Sequence, residues 1–262
     1  MRLQISARSH VGKVRTKNED NFCVSGRILP ENKSENYIHN SEVRLKQPVF
    51  LGVFDGMGGY ANGERASFVT ARIACARTEG ASFDAAEQLL TDICMEANLA
   101  VCQEMRDADG SRMGTTASML LFEKKKVTLC NIGDSPIFRF RKGLLEELHQ
   151  EHTERATYES VTGKPAPAGK KFRLTQNIGL FPDEILIEPY CATDDLKPGD
   201  IYLICSDGIT DMVEPAQIME ILNTQKSAEA VAQCLEEHAL AAGGKDNATV
   251  ICIRVLRGFW HK

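Results

Sequence analysis

Acidic residues lie in four short motifs that are far apart along the chain and could act together on one metal centre. Glu19 and Asp20 close the motif RTKNED, Asp55 lies in VFDGMGG, Asp207 in CSDGITD and Asp246 in GGKDNAT. The last three adjoin apolar runs of β type, so folding can bring them to the same end of a sheet. Carboxylates gathered in one place need cations to stay ionised, and hard oxygen ligands select Mg²⁺ or Mn²⁺. The pattern predicts a metal-dependent hydrolase.

The bulk composition is that of an ordinary soluble globular protein. The chain has 262 residues, of which 43% are hydrophobic and 26% charged, enough to bury a large core. No apolar run approaches the roughly 18 residues of a membrane span, and the N-terminus returns to charge too soon for a signal peptide. We therefore expect a cytoplasmic protein that does not enter a membrane.

Cysteine content and net charge argue against a zinc or disulfide framework and against a nucleic-acid partner. The nine cysteines are an odd number without a Cys-x-x-Cys pair, which predicts reduced, mostly buried thiols rather than a zinc site or a disulfide framework. The formal net charge of −5 comes without a long basic stripe, so nucleic acid is not expected as a partner.

The coarse pattern of elements predicts an α+β fold. Eight β-type runs lie at residues 3–7, 22–25, 49–54, 115–122, 127–132, 137–141, 201–205 and 249–255. Short turns join several of them, which favours antiparallel pairing. We expect two mainly antiparallel sheets packed face to face and flanked by helices, in a single domain over residues 1–262.

Apolar stripes at helical spacing predict the helices. One helix is expected over residues 63–77 and another over 82–105 with Ser82 as its N-cap. A shorter helix starts at Pro215, and a last one is capped by Ser227 and stopped by Gly243-Gly244. Residues 149–190 have weak periodicity and are expected to form a flap-like segment with a short helix at 154–161.

The four motifs, taken in order with MGTT at 113–116 and NIGDS at 131–135, resemble the PP2C-type (PPM) metal-dependent serine/threonine protein phosphatases, specifically the bacterial subgroup. The resemblance runs from residue 12 to 255. It implies an α-β-β-α sandwich, which agrees with the coarse pattern of elements.

The resemblance also implies a site with two Mn²⁺ or Mg²⁺ ions. Asp55 would bridge both ions, and the Gly56 carbonyl would complete one of them. Asp207 and Asp246 would hold the other ion, while Glu19 would act on the second, directly or through water. A carboxylate can bridge two cations roughly 3.5–4 Å apart, and a water between them loses a proton near neutral pH.

The remaining implied roles concern water and substrate. Asp20 would orient water ligands, and Arg15 would take the substrate phosphate, for which a guanidinium fork is suited. Attack by water on phosphorus would proceed without a covalent phosphoenzyme, since the chain has neither a Cys-x₅-Arg loop nor a Gly-x-Ser-x-Gly elbow.

Several positions depart from the family pattern. Met57 stands where many eukaryotic members have a histidine, so no side chain in the motifs supplies a general acid. Ser111 stands where bacterial members often place an aspartate for a third metal; Asp109 is close by and Asp211 matches another ligand of that site, so at most a weak third ion is expected. Pro136 replaces the arginine of the family's Gly-Asp-Ser-Arg.

Some residues have plainer interpretations. Asp134 is left out of the predicted site because a carboxylate in a turn often only caps main-chain N–H groups. His149 and His152 are taken as surface histidines, and residues 26–48 as an unusually long, polar link without an assigned function.

Two main functions follow from the sequence. The first is hydrolysis of phosphoserine and phosphothreonine on proteins, opposing a cognate bacterial serine/threonine kinase. The alternative is a catalytically silent phosphatase-like module with a regulatory or binding role, against which the intact set of acids argues. A third interpretation keeps the enzyme but changes the substrate to another phosphoester.

Overall fold

Two six-stranded antiparallel sheets form the centre of the structure, a computed structural model that describes residues 1–31, 36–57, 62–79, 85–108, 111–167 and 172–258. The first sheet has the strand order β4-β1-β12-β11-β8-β9 and the second the order β10-β7-β6-β5-β2-β3. The strands are β1 (Arg2–His10), β2 (Asn21–Val24), β3 (Arg27–Ile28), β4 (Tyr37–Arg44), β5 (Val49–Phe54), β6 (Ala117–Phe122), β7 (Lys126–Ile132), β8 (Ile137–Arg141), β9 (Leu144–Glu147), β10 (Tyr190–Asp195), β11 (Ile201–Cys205) and β12 (Ala248–Leu256).

Helices cover the outer faces of both sheets. They are α1 (Gly63–Thr78), α2 (Ala86–Asp107), α3 (Glu154–Thr162), α4 (Asp207–Thr210), α5 (Pro215–Thr224) and α6 (Ala228–Ala241). One apolar cluster joins α1 and α2 to the sheet that holds β5, β6 and β7. Another joins α5 and α6 to β8, β11 and β12. The predicted α+β sandwich is confirmed.

The core between the sheets explains why the sequences of the central strands are continuous apolar runs. Leu3, Leu51, Leu120 and Ile253 come from both sheets and meet in this layer, fully or almost fully buried. Because helices cover the opposite faces, all six residues of β6 are buried. A strand covered on both sides has no polar face to alternate.

The helix boundaries follow the predicted capping signals where the structure describes them. The Ser227 hydroxyl accepts a hydrogen bond from the Ala230 N–H at 3.1 Å, and Pro215 is the first residue of α5. Gly244 adopts φ +53° after α6, a conformation that glycine tolerates best. The predicted cap Ser82 lies outside the described residues.

Four strands were not predicted, and two of them lie in the long link. Residues 26–48 contain β3 and β4, so their interpretation as a link alone is wrong. Strand β4 pairs along its whole length with β1 at the end of the first sheet. Its exposure alternates residue by residue, but its polar composition hides the period that identifies a half-buried strand.

The segment at 149–190 contains the short helix that its sequence predicts. Helix α3 begins after Thr153, whose hydroxyl accepts a hydrogen bond from the Ala156 N–H at 3.1 Å, and ends at Gly163 with φ +64°. An isolated bridge pairs Thr153 with Leu174, and the segment closes with β10.

All nine cysteines are free thiols, as predicted. In the described part of the chain, no helix is both long and apolar enough to cross a bilayer.

Shortening a side chain in the layer between the sheets is expected to weaken the fold. Leu51→Ala should lower the free energy of unfolding by about 2–5 kcal/mol, because it leaves a cavity in a fully buried position. Leu144→Ala, at a position that is 73% exposed, should change it by about 0.5 kcal/mol or less. Urea denaturation measures both values, and equal losses would contradict the assignment of Leu51 to the core.

Candidate functional site

The acids of the four motifs lie where central strands of the two sheets begin or end. Asp55 follows β5, Asp207 follows β11 and Asp246 comes shortly before β12. Strand β5 contacts both β11 and β12 across the sandwich. Asp20 comes directly before β2, the neighbour of β5. The sheets therefore bring acids from opposite ends of the sequence to one end of the sandwich.

Two threonines fix the main chain of Asp55. Its N–H donates to the Thr116 hydroxyl at 3.1 Å. Its carbonyl accepts hydrogen bonds from the Thr115 hydroxyl and the Thr116 N–H, each at 2.8 Å. The MGTT motif thus holds the residue that is predicted to bridge the metals, although it contributes no acidic ligand.

Gly56 is required by close packing of main chains. A Cβ atom at this position would lie 2.4 Å from the Gly63 carbonyl oxygen and 2.5 Å from that of Glu19. Any side chain would therefore separate the motif after β5 from the Glu19 segment and from the start of α1.

Asn247 joins three main-chain segments at the site. Its side-chain oxygen accepts a hydrogen bond from the Glu19 N–H at 2.8 Å. Its side-chain nitrogen donates to the carbonyls of Val11 and Lys17, both at 2.8 Å. The residue after Asp246 thus positions the loop that carries Arg15 and Glu19. The sequence contained this asparagine in a motif, but nothing in it indicated the three partners.

Asp20 is fully buried and bound to the segment of Asp207. The Ser206 hydroxyl donates to the Asp20 carboxylate at 2.7 Å, and the same hydroxyl accepts a hydrogen bond from the Thr249 N–H at 3.0 Å. This chain of hydrogen bonds ties three motifs together below the other acids. Asp20 therefore has a structural role alongside the water-orienting role that the resemblance implies.

Burial and the neighbouring acids raise the pKa values of Asp55 and Asp207. Burial raises the pKa of Asp55 well above its ordinary value, and the charges of Asp20, Asp207 and Asp134 raise it further. The pKa of Asp207 is raised to about 8 by burial and by four neighbouring acids, led by Asp134. Such shifts show that the negative charge here exceeds what the cations of the chain itself balance.

Arg15 contacts the acids directly. Its guanidinium donates to the Asp246 carboxylate at 2.6 Å and lies 4.0 Å from that of Glu19. Burial raises the pKa of Glu19, Glu64 raises it further, and Arg15 lowers it. The structure thus places Arg15 at the cluster, bound to one of its predicted ligands.

The donor set has the chemistry of a Mg²⁺ or Mn²⁺ site. Three of its carboxylates, Glu19, Asp55 and Asp207, have raised pKa values, and divalent ions would stabilise them in the charged form. Within the described ranges, however, no three Asp, Glu, His or Cys side chains are arranged so that they could hold one ion together. The ligand roles of Glu19, Asp55, Gly56, Asp207 and Asp246 stay predictions.

Asp134, which the sequence analysis left out of the site, belongs to the same electrostatic cluster. It is the acid with the largest effect on Asp207, and burial raises its own pKa to about 6. A turn carboxylate between β7 and β8 carries no distinguishing signal in sequence. Because Asp134 and Asp207 are far apart along the chain, the sequence does not show that they lie close together.

His152 holds the turn that precedes Asp134, and its interpretation as a surface histidine was wrong. It is 7% exposed, and His149 is half-buried. The Nδ1 atom of His152 accepts a hydrogen bond from the Gly133 N–H at 3.1 Å, and its main-chain N–H donates to the Gly133 carbonyl at 3.0 Å. The start of the 149–190 segment is thereby fixed to the site.

The structure describes only some of the residues of the predicted third metal site. Asp211 is exposed, and its N–H donates to the Asp207 carbonyl at 2.7 Å. Asp109 lies outside the described residues. A cavity of about 500 Å³ lies between this edge of the site and the 149–190 segment, lined by Asp134, Asp207, Asp211 and Arg155 among others.

The fold and site define a class: two antiparallel sheets between helix layers, with acids clustered at the ends of the central strands. A family model described as protein phosphatase 2C matches residues 38–243. The chain belongs to the protein phosphatase 2C family.

Relatives of known identity extend the similarity over nearly the whole chain. The serine/threonine protein phosphatase PstP of Mycobacterium tuberculosis H37Rv is 31% identical over 258 residues, which are 97% of this chain. The chain spans about 45% of the length of that relative. The serine/threonine phosphatase stp of Listeria monocytogenes serovar 1/2a is 28% identical, over 94% of this chain and 93% of its own.

Solved structures of bacterial serine/threonine phosphatases superpose on this chain over nearly its whole length. The crystal structure of PstP/Ppp from Mycobacterium tuberculosis superposes with a TM-score of 0.81 at 26% identity, covering 98% of this chain and 100% of that chain. The catalytic domain of PstP in complex with two manganese ions superposes with a TM-score of 0.79 at 27% identity, with the same coverage.

Asn247→Ala is expected to loosen the site without removing an acid. It would leave the Glu19 N–H and two carbonyls without their partner in a largely buried region, which should lower the free energy of unfolding by about 3 kcal/mol or more. Calorimetry measures the loss. The control Asn223→Ala removes a single exposed bond to the Met219 carbonyl and should change stability little; similar losses in both variants would contradict the role of Asn247.

The acid cluster also predicts a pH dependence of the metal-free protein. The pKa of Asp207 is raised from 3.8 to about 8 in the folded chain, so the folded state keeps a proton that the unfolded state releases. The contribution of Asp207 to stability is therefore fully present below pH 3.8 and is lost as the pH rises to about 8.

Asp207→Asn should remove that part of the pH dependence. In EDTA it should melt above the parent protein at pH 8, and the difference should shrink at pH 4. Thermal melts across this range provide the measurement, with the exposed Asp195→Asn as the control. A variant that is no more stable at pH 8 than the parent would show that Asp207 is not destabilised by its neighbours.

Proposed function

We propose that the chain hydrolyses phosphoserine and phosphothreonine on proteins and needs two Mn²⁺ or Mg²⁺ ions to do so. The observation that carries this proposal is the proximity of Asp55, Asp207 and Asp246: the last two raise the pKa of Asp55, and Asp246 raises that of Asp207. Membership of the protein phosphatase 2C family and the two manganese ions of a PstP structure support it.

In this proposal the acidic side chains would bind the metal ions, and hydrogen bonds from neighbouring residues fix the main chain that carries the acids. Asp55, Asp207, Asp246, Glu19 and the Gly56 carbonyl are the groups that would hold the two ions. When bound, such ions supply an activated water and neutralise the charge of the phosphate. Threonine contacts fix the main chain of Asp55, and Asn247 fixes the Glu19 loop. The acidic side chains would still have to turn toward an ion, because no three of the described Asp, Glu, His or Cys side chains are arranged to hold one together.

Arg15 is proposed to bind the substrate phosphate. Its guanidinium now donates to the Asp246 carboxylate. If that carboxylate held a metal ion, the guanidinium would be available to two phosphate oxygens, which it fits better than a lysine would. Its side chain is 40% exposed, so a phosphate on a protein surface has access to it.

We further propose that the protein works in the cytoplasm and opposes a cognate bacterial serine/threonine kinase. Both statements rest on the family and on the bacterial relatives. A test for the second is whether the chain removes phosphate from an autophosphorylated serine/threonine kinase of its own organism.

Hydrolysis of a phosphothreonine peptide should require added Mn²⁺ or Mg²⁺ and should stop in EDTA. Asp207→Asn and Asp246→Asn should each lower kcat/KM by about 10²-fold or more, because a missing carboxylate weakens an ion that the reaction uses. Arg15→Ala should raise KM more than it lowers kcat. Released phosphate measures all of these rates.

Asp195→Asn is the matched control, because it removes an exposed acid of β10 remote from the motifs. It should keep the full rate. Calorimetric titration with Mn²⁺ separates the two functions: a chain that binds Mn²⁺ but releases no phosphate from any peptide would favour the catalytically silent module. A chain that binds no Mn²⁺ at all would overturn the proposed site.

A further inference from the structure

Helix α1 runs alongside strand β2, and two contacts fix how the helix and the strand are aligned. At one end the Ser67 hydroxyl donates a hydrogen bond to the Glu19 carbonyl at 2.5 Å. At the other end the Cys75 thiol donates to the Gly26 carbonyl at 3.2 Å, in the turn that joins β2 to β3. The helix and the strand therefore run in the same direction.

This alignment brings Cys75 beside Cys23. Cys75 lies eight residues after Ser67, about 12 Å along a helix, and Cys23 lies four residues after Glu19, about 13 Å along a strand. The Cys23 side chain belongs to the apolar cluster between the second sheet and its helices, and Cys75 packs against that cluster. Each of the two thiols is a hydrogen-bonding partner of the other.

The two thiols differ in their access to solvent. Cys23 is 1% exposed, whereas Cys75 is only partly buried, near the C-terminal end of α1. The Cys23 thiol lowers the pKa of Cys75 to about 7, against smaller opposing effects of burial and of Glu79. The reactive form of a cysteine is the thiolate. Cys75 therefore combines an accessible sulfur with a thiolate that forms near neutral pH.

The other contacts between cysteines lack one of these properties. The sulfur atoms of Cys94 and Cys130 lie 3.9 Å apart, but both residues are fully buried. Cys191 is partly buried and lies opposite Cys130 on the paired strands β10 and β7. However, the Cys130 thiol and burial raise the pKa of Cys191, and a thiol that stays protonated is a poor nucleophile.

We propose that Cys75 and Cys23 form a reversible disulfide when the protein meets hydrogen peroxide, with Cys75 reacting first and Cys23 resolving the product. A reactive cysteine with a second cysteine in contact is the arrangement typical of redox-sensitive sites. Reduced thiols are the resting state of both residues, and in a reducing compartment such a bond would be transient.

The reaction consumes one peroxide and gives two waters. The Cys75 thiolate attacks one peroxide oxygen, the O–O bond breaks, and the departing hydroxide takes up the proton that Cys75 released. This step leaves a sulfenic acid on Cys75. The Cys23 sulfur then attacks the Cys75 sulfur, the S–O bond breaks, and the second hydroxide takes the Cys23 proton. The two sulfurs together lose two electrons, which reduce the peroxide.

The disulfide would join α1 to β2 at one end of a contact whose other end holds Glu19. Neither cysteine belongs to the acid cluster, and the proposed hydrolysis uses neither of them. The oxidised protein would therefore carry a covalent link between the helix and the strand that adjoin the Glu19 segment, at a distance from the acids themselves.

Peptide mapping of the full chain after peroxide treatment tests the disulfide. The protein is treated with equimolar hydrogen peroxide in EDTA, which prevents metal-catalysed oxidation, and free thiols are then alkylated under denaturing conditions. Two of the nine cysteines should escape alkylation. Trypsin should release peptides 18–27 and 73–77 as one linked species, which dithiothreitol separates. Absence of this linked species, or a disulfide between other cysteines in its place, would overturn the proposal.

Variants at the two cysteines separate their roles. Cys75→Ser should form no linked species and should leave Cys23 open to alkylation, because peroxide does not reach the buried thiol. Cys23→Ser keeps a hydrogen-bond donor beside Cys75 but has no second sulfur, so Cys75 should accumulate as a sulfenic acid that dimedone traps. Cys234→Ser, at another partly buried cysteine, is the matched control and should form the linked species as the wild type does.

Two results with these variants would contradict the assigned roles. One is oxidation of Cys23 in the Cys75→Ser variant, and the other is the lack of a dimedone adduct at Cys75 in the Cys23→Ser variant. None of these measurements uses phosphatase activity, so a failure of the disulfide and a failure of the proposed hydrolysis are separate results.

Discussion

The repulsion among clustered carboxylates is the constraint on which the rest of the site depends. Asp20, Asp134, Asp207 and Asp246 all raise the pKa of Asp55. A chain that folds these acids together must hold them from outside the cluster, since nothing between them is attractive without cations. The neutral hydrogen bonds around the site have this role.

That support comes from small polar residues and close main-chain contacts rather than from further charges. Thr116, Ser206 and Asn247 each bind the main chain or the carboxylate of a predicted site residue. Gly208 shows the same principle, since a Cβ atom there would lie 1.9 Å from the Asn247 carbonyl oxygen. The bonds of Thr116 and Asn247 to the main chain join neutral groups, so this part of the frame does not depend on the charge of the acids.

The sequence predicted the sandwich and the acidic cluster because both leave periodic or local signals. The central strands are continuous apolar runs, and Asp55 and Asp207 follow such runs directly. It missed β4 because a polar edge strand such as Tyr37–Arg44 has no apolar period to detect. It missed Asp134 and His152 because their importance lies in contacts between a turn and a distant loop. The sequence alone does not show which of several acidic residues in turns lies close to Asp207.

Met57 shows how a departure from the family pattern changes what the site can do. Its N–H donates to the Gly114 carbonyl at 3.0 Å, and a Cβ atom on Gly114 would lie 2.2 Å from the end of the Met57 side chain. The side chain therefore fills the space that the glycine of MGTT leaves open, and its role there is packing. A thioether has no proton to give, so in the proposed hydrolysis the leaving alcohol would take its proton from solvent or from a nearby acid. Under that proposal the site would favour substrates with leaving groups that need little help, because general-acid assistance, worth about 10²–10⁴-fold elsewhere, is absent at this position.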